Sequence, residues 1–302
     1  SGIPFDQYIS QRIFAPLKMT HSFTNEPAAI ADGMATGHLY FSNLFPVPYQ
    51  ALYSRGRLGE GFIISSAEDM THYLLAMMHE GAYGGTAALP SAAVKAVTTP
   101  AVPEGRYPGA NSYGMGWSIG RRGSDLIWLH GGATSTFRAE MAILPNSFRG
   151  VIVLANAKLD TTEGVNRLAN ALVQILRDQE PNLATAAPAS SAYALLALFC
   201  GALLIALADL LWLPRWRRQV RARGITRWDW LRTAFSLALA LGFLVGLPMS
   251  LGANLLFAMR VDPYDGAVIC AVGALALAAF GYRLAVIWRS KKEVPSHHAQ
   301  AS

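Results

Sequence analysis

Cysteine is almost missing from this chain. Its 302 residues hold two, Cys200 and Cys270, and both lie inside long apolar runs. The first 190 residues hold none, which excludes a disulfide framework and a cysteine metal site there. Histidine offers no zinc spacing either. His72 follows Glu68 by four positions and His79 follows His72 by seven, a pattern that a solvated helix face explains. His297 and His298 belong to a polar tail. Charge is sparse and unevenly placed. Arg215, Arg217, Arg218, Arg221, Arg223, Arg227 and Arg232 crowd one stretch against the single Asp229, so that stretch alone carries the whole net charge of +6. The remainder is near neutral, with no basic patch for a nucleic acid.

Long apolar runs, by contrast, are present three times: Ser191–Leu213, Thr233–Met259 and Gly266–Trp288. Each exceeds the ~20 residues that a helix needs to cross a bilayer. The Arg-rich segment 214–232 separates the first two, and the positive-inside rule assigns it to the cytoplasm. The first span then runs inward, and everything before it is an extracytoplasmic head. The turn Arg260–Asp265 falls outside, and the tail 289–302, with Arg289, Lys291 and Lys292, falls inside. Trp212, Trp216, Trp228, Trp230 and Trp288 cluster at the expected boundaries, as an aromatic belt does. Asp209 is expected near the cytoplasmic end of its span, within reach of interface water or the Arg-rich loop. Asn254 lies deeper, where it can bond across helices. A transporter or channel needs more spans and more intramembrane polar groups than these.

The head reads as a mixed α+β domain without repeats. Pro4–Phe14 is an amphipathic helix with Phe5, Tyr8, Ile9 and Ile13 on one face. Asp32–Gly61, rich in Tyr, Phe, Pro and Gly, is either a packed surface loop or a cleft wall. Ser65 with Glu68 fits a capping box, and Ser66 with Asp69 competes closely. The helix that follows presents Tyr73, Leu74, Met77 and Met78, and Gly81 ends it. Thr98–Ser112 is a second Pro/Gly-rich loop. Four strand signals come next: Tyr113–Ile119 and Leu126–His130 about one turn, then Arg138–Leu144 and Val151–Asn156 about another. A helix over Glu163–Arg177 presents Val165, Leu168, Leu172, Ile175 and Leu176. The outcome is an antiparallel sheet with covering helices over 1–178, a linker over 179–190, and three transmembrane helices over 191–288.

Three stretches together resemble the serine beta-lactamase and penicillin-binding protein family, in its class C-like branch. They are SGIPFDQYISQRIFAPLKMTHSFT at Ser1–Thr24, GEGFIISSAEDMTHYLLAMM at Gly59–Met78, and Tyr113–Pro145 with YGMGW and HGGATSTFRAEMAILP. The resemblance implies a partial beta-lactamase/transpeptidase-like fold. It also implies that His130-Gly131-Gly132 is the family's third active-site motif. His130 would then orient substrate and support proton traffic. Gly132 would let a substrate lie along the strand, and the Ala133 N–H would stabilise an oxyanion. Gly131, Gly132 and Thr134 would bind substrate. Thr136, Ala139 and Lys18 depart from the family's usual Gly, Ser and Gly, which bears on substrate class.

The family's nucleophile, a Ser three residues before a Lys, occurs nowhere in the chain. Ser54 with Arg57, Ser118 with Arg121 and Ser135 with Arg138 match only its spacing, and arginine does not lose its proton. The second motif, Tyr-x-Asn or Ser-x-Asn, is missing too, since Tyr40-Phe41-Ser42-Asn43 has the wrong spacing. Both motifs precede a stretch like Ser1–Thr24 in the family. The chain also lacks an initial Met and a signal peptide. The expectation is therefore a C-terminal fragment of a membrane-anchored serine hydrolase acting on an amide or ester. It needs no cofactor or metal and is inactive alone. Its partners are a small-molecule or peptide substrate and the lipid bilayer. The competing expectation is a non-catalytic sensing or scaffold head that signals through its helices.

Overall fold

A computed structural model describes residues 1–51, 53–107, 109–157, 164–182, 190–250, 254–256, 259 and 262–292. Glu163, Arg260, most of the linker and the tail beyond Lys292 lie outside the described residues. Contacts divide the chain into two units, Ser1–Pro188 and Ala189–Ser302.

The first unit carries two small hairpins, β1 His38–Phe41 with β2 Phe45–Pro48 and β3 Ala82–Tyr83 with β4 Thr86–Ala87, and is built on a six-stranded antiparallel sheet whose strands lie side by side in chain order. The sheet's strands are β5 Val102–Pro103, β6 Ala110–Tyr113, β7 Ser118–Arg122, β8 Asp125–Ala133, β9 Arg138–Leu144 and β10 Arg149–Ala155. The turn between β7 and β8 passes through Gly123 in the left-handed region, at φ +63. Alternation along β8 sends its side chains to both faces. Ile127 and Leu129 pack with Val173 and Leu176 of helix α5 (Gly164–Leu176). Trp128 joins Leu74, Met77 and Met78 of helix α3 (Ala67–Met78) on the other face. One helix on each face thus closes the core.

Several local details depart from the sequence reading. The expected strand Tyr113–Ile119 is split, because Gly116 turns the chain at φ +95 and the Gly114 N–H donates to Trp117 O. Its two halves end β6 and begin β7, so the expected loop 98–112 contains β5 and most of β6. The aromatic stretch 32–61 is not all loop: it holds a hairpin of β1 His38–Phe41 and β2 Phe45–Pro48. Ser42 and Asn43 form its turn at positive φ, as short hairpins require. Helix α1 (Phe5–Ile9) continues as a π-helical turn over Ser10–Phe14. The wider turn rotates the buried face onto Ile9, Ile13 and Phe14. Phe5 and Tyr8 stay exposed.

At the start of α3 it is Ser66 that caps, accepting from the Asp69 N–H at 3.1 Å. The buried Asp69 carboxylate does not close the box. It accepts instead from the His21 N–H and the Ser22 hydroxyl, both at 2.7 Å, and so fastens the chain before α3 to the helix. At the far end Glu80 takes the left-handed position and the Gly81 N–H closes on Ala76 O. On α5 Ala169, Ala171 and Val173 are buried, and Val173 and Leu176 pack on the sheet, while Leu168 and Ile175 are exposed.

Among the described residues of the second unit, three helices are long and apolar enough to cross a membrane. The first runs unbroken over Ser190–Arg223. The second runs over Arg227–Leu241, through a π-helical turn at Gly242–Gly246, to Leu247–Ser250. The third spans Pro263–Lys292. The expected loop 214–232 is therefore mostly helix. The connection shrinks to residues 224–226, where Gly224 adopts φ +79 and Thr226 with Asp229 forms a reciprocal capping box.

Asp209 also behaves differently from expectation. It is bound by Arg283 of the third helix, whose Nη1 donates to Asp209 Oδ2 at 2.7 Å and to Ser236 Oγ of the second at 2.5 Å. Arg283 is fully buried. One ion pair thus joins all three helices, and the sequence reading did not single out its arginine.

Candidate active site

The candidate site begins where the sheet stops being continuous. β7 pairs with β8 only as far back as Ser118 opposite Leu129. β9 stays paired with β8 as far as Arg138 opposite Ala133. Residues 130–133 of β8 therefore have one neighbour strand and one open edge. The Thr134 N–H donates to Phe137 O at 3.0 Å and sets the parity of the ladder. Because bonded pairs alternate, Gly132 with Ala139 is bonded, and the N–H groups of Gly131 and Ala133 point away from β9 to the open edge. Gly132 and Ala133 are exposed.

His130 stands at the root of this edge, on the face occupied by Trp128. Its Nδ1 lies 2.5 Å from Gly116 O, and its ring meets the buried Trp117 edge-on with centroids 6.3 Å apart. A carbonyl only accepts, so Nδ1 carries the proton and Nε2 is left as the acceptor of the neutral ring. The turn between β6 and β7 thus fixes both the orientation and the tautomer of the imidazole.

The two glycines differ in their surroundings. A Cβ at Gly132 would meet no atom within 4 Å, so this position leaves the face before the edge clear. A Cβ at Gly131 would lie 2.3 Å from the carboxylate oxygens of Glu140. Glu140 is buried on β9, accepts from the Tyr107 hydroxyl at 3.3 Å and lies 3.9 Å from Arg138. Arg138 in turn donates to Asn166 of α5 at 3.2 Å. Burial first, and the neighbouring Glu140 carboxylate second, push the Tyr107 hydroxyl up to about 12. Sequence reasoning had Gly116 and Trp117 only as part of YGMGW, with no role assigned, and did not single out Glu140. The last left a readable signal, a carboxylate within the apolar strand RAEMAIL.

Thr134 is placed at the turn, not along the open edge. Its hydroxyl oxygen accepts from the Phe137 N–H at 3.1 Å and from the Thr136 N–H at 3.4 Å. Thr136 is buried against Gly37, where a Cβ would lie 2.6 Å from it. The His38 N–H donates to Asn156 O at 2.8 Å. The root of the β1–β2 hairpin therefore docks beside the turn that ends the candidate edge.

None of the spacing mimics has a nucleophile's setting. Ser118 is buried at the start of β7, Ser135 lies in the turn after β8, and Ser54 precedes a short 3₁₀ turn. Among the described residues no group of three or more His, Cys, Asp or Glu converges to hold a metal. The arrangement offers an extended acyl group a strand edge with outward N–H donors and an oriented imidazole beside it.

A family model described as Beta-lactamase matches residues 1–176. No curated protein matches. Among solved structures, the octameric penicillin-binding protein homologue from Pyrococcus abyssi is similar with a TM-score of 0.53 at 19% identity, over 60% of this chain and 40% of that one. The D-amino acid amidase from Ochrobactrum anthropi SV3 gives 0.48 at 18%, over 59% and 52%. A class C beta-lactamase from Rhodobacter sphaeroides gives 0.43 at 18%, over 52% and 50%. The chain thus spans about half the length, or less, of these structures. The match extends over more than half of the sequence, and the chain belongs to the beta-lactamase family.

Proposed function

We propose that this chain supplies the substrate-binding edge of a serine hydrolase that acts on an amide or ester outside the cytoplasmic membrane. The observation that carries the reading is the open edge at Gly131–Ala133, with outward N–H groups beside an imidazole whose tautomer is set. A serine supplied from outside these 302 residues attacks the carbonyl carbon and gives its hydroxyl proton to a general base. The Ala133 N–H holds the resulting oxyanion. As the tetrahedral intermediate collapses, the bond to the leaving nitrogen or oxygen breaks and the leaving group takes a proton. Water then cleaves the acyl-enzyme by the reverse sequence of proton transfers. His130 orients the substrate and exchanges protons at Nε2, and Gly132 keeps the approach clear. An extracytoplasmic site matches cell-wall peptides, D-amino-acid peptides, beta-lactams or secreted esters.

The chain alone is expected to form no acyl adduct with a fluorescent penicillin, and rapid labelling of it would refute the reading. In the reading frame that contains it, a Ser-x-x-Lys followed by Tyr-x-Asn upstream of Ser1 supports the hydrolase. A full-length exported frame with neither motif supports the sensing head instead.

A further inference from the structure

The first long helix has 34 residues, ~51 Å at 1.5 Å per residue. A hydrocarbon core is only ~30 Å thick. Its apolar run ends at Leu213, so Pro214–Arg223 continues as helix into the headgroup layer. Trp216 and Val220 are buried on one side of this extension. At ~100° per residue, Arg215, Arg218 and Arg221 fall on the opposite arc, with Arg217 on its flank. The extension is braced to the start of the second helix. The Trp216 Nε1–H donates to Asp229 Oδ1 at 2.8 Å, Arg223 grips both oxygens of the same carboxylate at 2.9 Å, and Thr226 donates to it at 2.8 Å. Asp229 is the only acid in the segment, and Arg223 takes its charge. Among the described residues, Arg215, Arg217, Arg218, Arg221, Arg227 and Arg232 form no ion pair. Arg232 lies over the Trp212 ring at 4.3 Å, Arg227 lies over the Trp228 ring at 5.7 Å, and Trp228 and Trp230 are exposed.

We propose that this braced helical corner is a binding surface for anionic phospholipid headgroups. A flexible basic loop would satisfy the positive-inside rule equally well. Here the arginines are instead presented from rigid helix, at headgroup depth, with interfacial tryptophans between them. Phospholipid is the occupant because the surface is continuous with the apolar spans, and because its uncompensated charge is opposite to a phosphate layer.

The test uses the whole chain in nanodiscs of POPC alone and of POPC mixed with POPG, with co-purifying lipid measured by mass spectrometry. POPG is expected to be enriched around the protein at low salt, and to be less enriched as salt screens the contact. Each arginine near an anionic surface contributes ~1 kcal/mol, about five-fold. The combined change of Arg215, Arg217, Arg218 and Arg221 to Gln should therefore lower POPG retention roughly 100-fold or more. The same change at Arg12 and Arg106 in the head should leave retention unaltered. Unfolding midpoints confirm that each variant is folded. Equal retention of POPG and POPC, or unchanged retention in the quadruple variant, would overturn the proposal. So would displacement of POPG by inorganic phosphate at comparable concentration, or tighter capture of a short RNA than of POPG vesicles.

Discussion

Gly131 and Gly132 are adjacent and chemically identical, yet the structure asks different things of them. At Gly131 the missing Cβ makes room for the Glu140 carboxylate, whereas at Gly132 it leaves open space. Gly131→Ala should destabilise the head by about 1–3 kcal/mol through overpacking. Gly132→Ala should stay within about 0.5 kcal/mol. Denaturant unfolding of the two variants checks the contrast, and equal effects would contradict the placement of Glu140. The same carboxylate bears on Tyr107. Its folded pKa of about 12 stands above the ~10 of an unfolded tyrosine, so the folded state favours the neutral phenol. That contribution is fully present below about pH 10 and is lost as pH rises toward 12. Tyr107→Phe should remove this part of the alkaline loss, read as a flatter midpoint between those pH values. A second titration tests a surface pair. Its hydrogen bond to Asp32 at 2.7 Å raises the His21 pKa above the ordinary value, and Asp32→Asn should bring the NMR titration back down. None of these environments was readable beforehand. Sequence shows that Glu140 interrupts an apolar strand, but not that its carboxylate meets a glycine one strand away.

Elements were legible where a single periodicity ruled. β9 occupies the residues its alternation predicts, and β8 extends the expected strand by one residue at its start and three at its end. The resemblance to the family rested on Ser1–Thr24, on Gly59–Met78 with the capped helix α3, and on Tyr113–Pro145 with these strands, and the family assignment agrees with it. Reading failed where glycine or tertiary contact overrode pattern. Gly116 cut one apparent strand in two. On α5 the expected face included Leu168 and Ile175, which are exposed; Ala169, Ala171 and Val173 are buried instead, and of the expected face Leu176 packs on the sheet beside Val173. Charge misled in the second unit, where seven arginines read as a loop and proved to be helix around a capping box. The Asp209–Arg283–Ser236 cluster is the element-scale consequence. Arg283 is buried, so removing its partner leaves an uncompensated charge among the helices. Asp209→Asn should destabilise the helical unit by about 3–5 kcal/mol. Adding Arg283→Met should recover much of that, as measured by unfolding the detergent-solubilised chain in SDS. Single variants that lose under about 1 kcal/mol would show that the ion pair is dispensable.

In the whole molecule a beta-lactamase-family head precedes, among the described residues, three helices long and apolar enough to cross a membrane. The proposed sidedness has a direct check. In a chain with Cys200 and Cys270 replaced by Ala, Ser124→Cys should react with an impermeant maleimide on intact cells. Gln219→Cys should react only after the membrane is opened, and the reverse pattern would invert the topology. The proposed chemistry stands on the open edge of β8, and a single substitution there is decisive. Ala133→Pro removes the outward N–H at a position where an edge strand tolerates proline. In the full-length product of the reading frame that contains this chain, the rate of acylation by a fluorescent penicillin or a D-amino-acid ester should fall roughly 100- to 1,000-fold, with the unfolding midpoint little changed. Acylation of that folded variant at the wild-type rate would contradict the account.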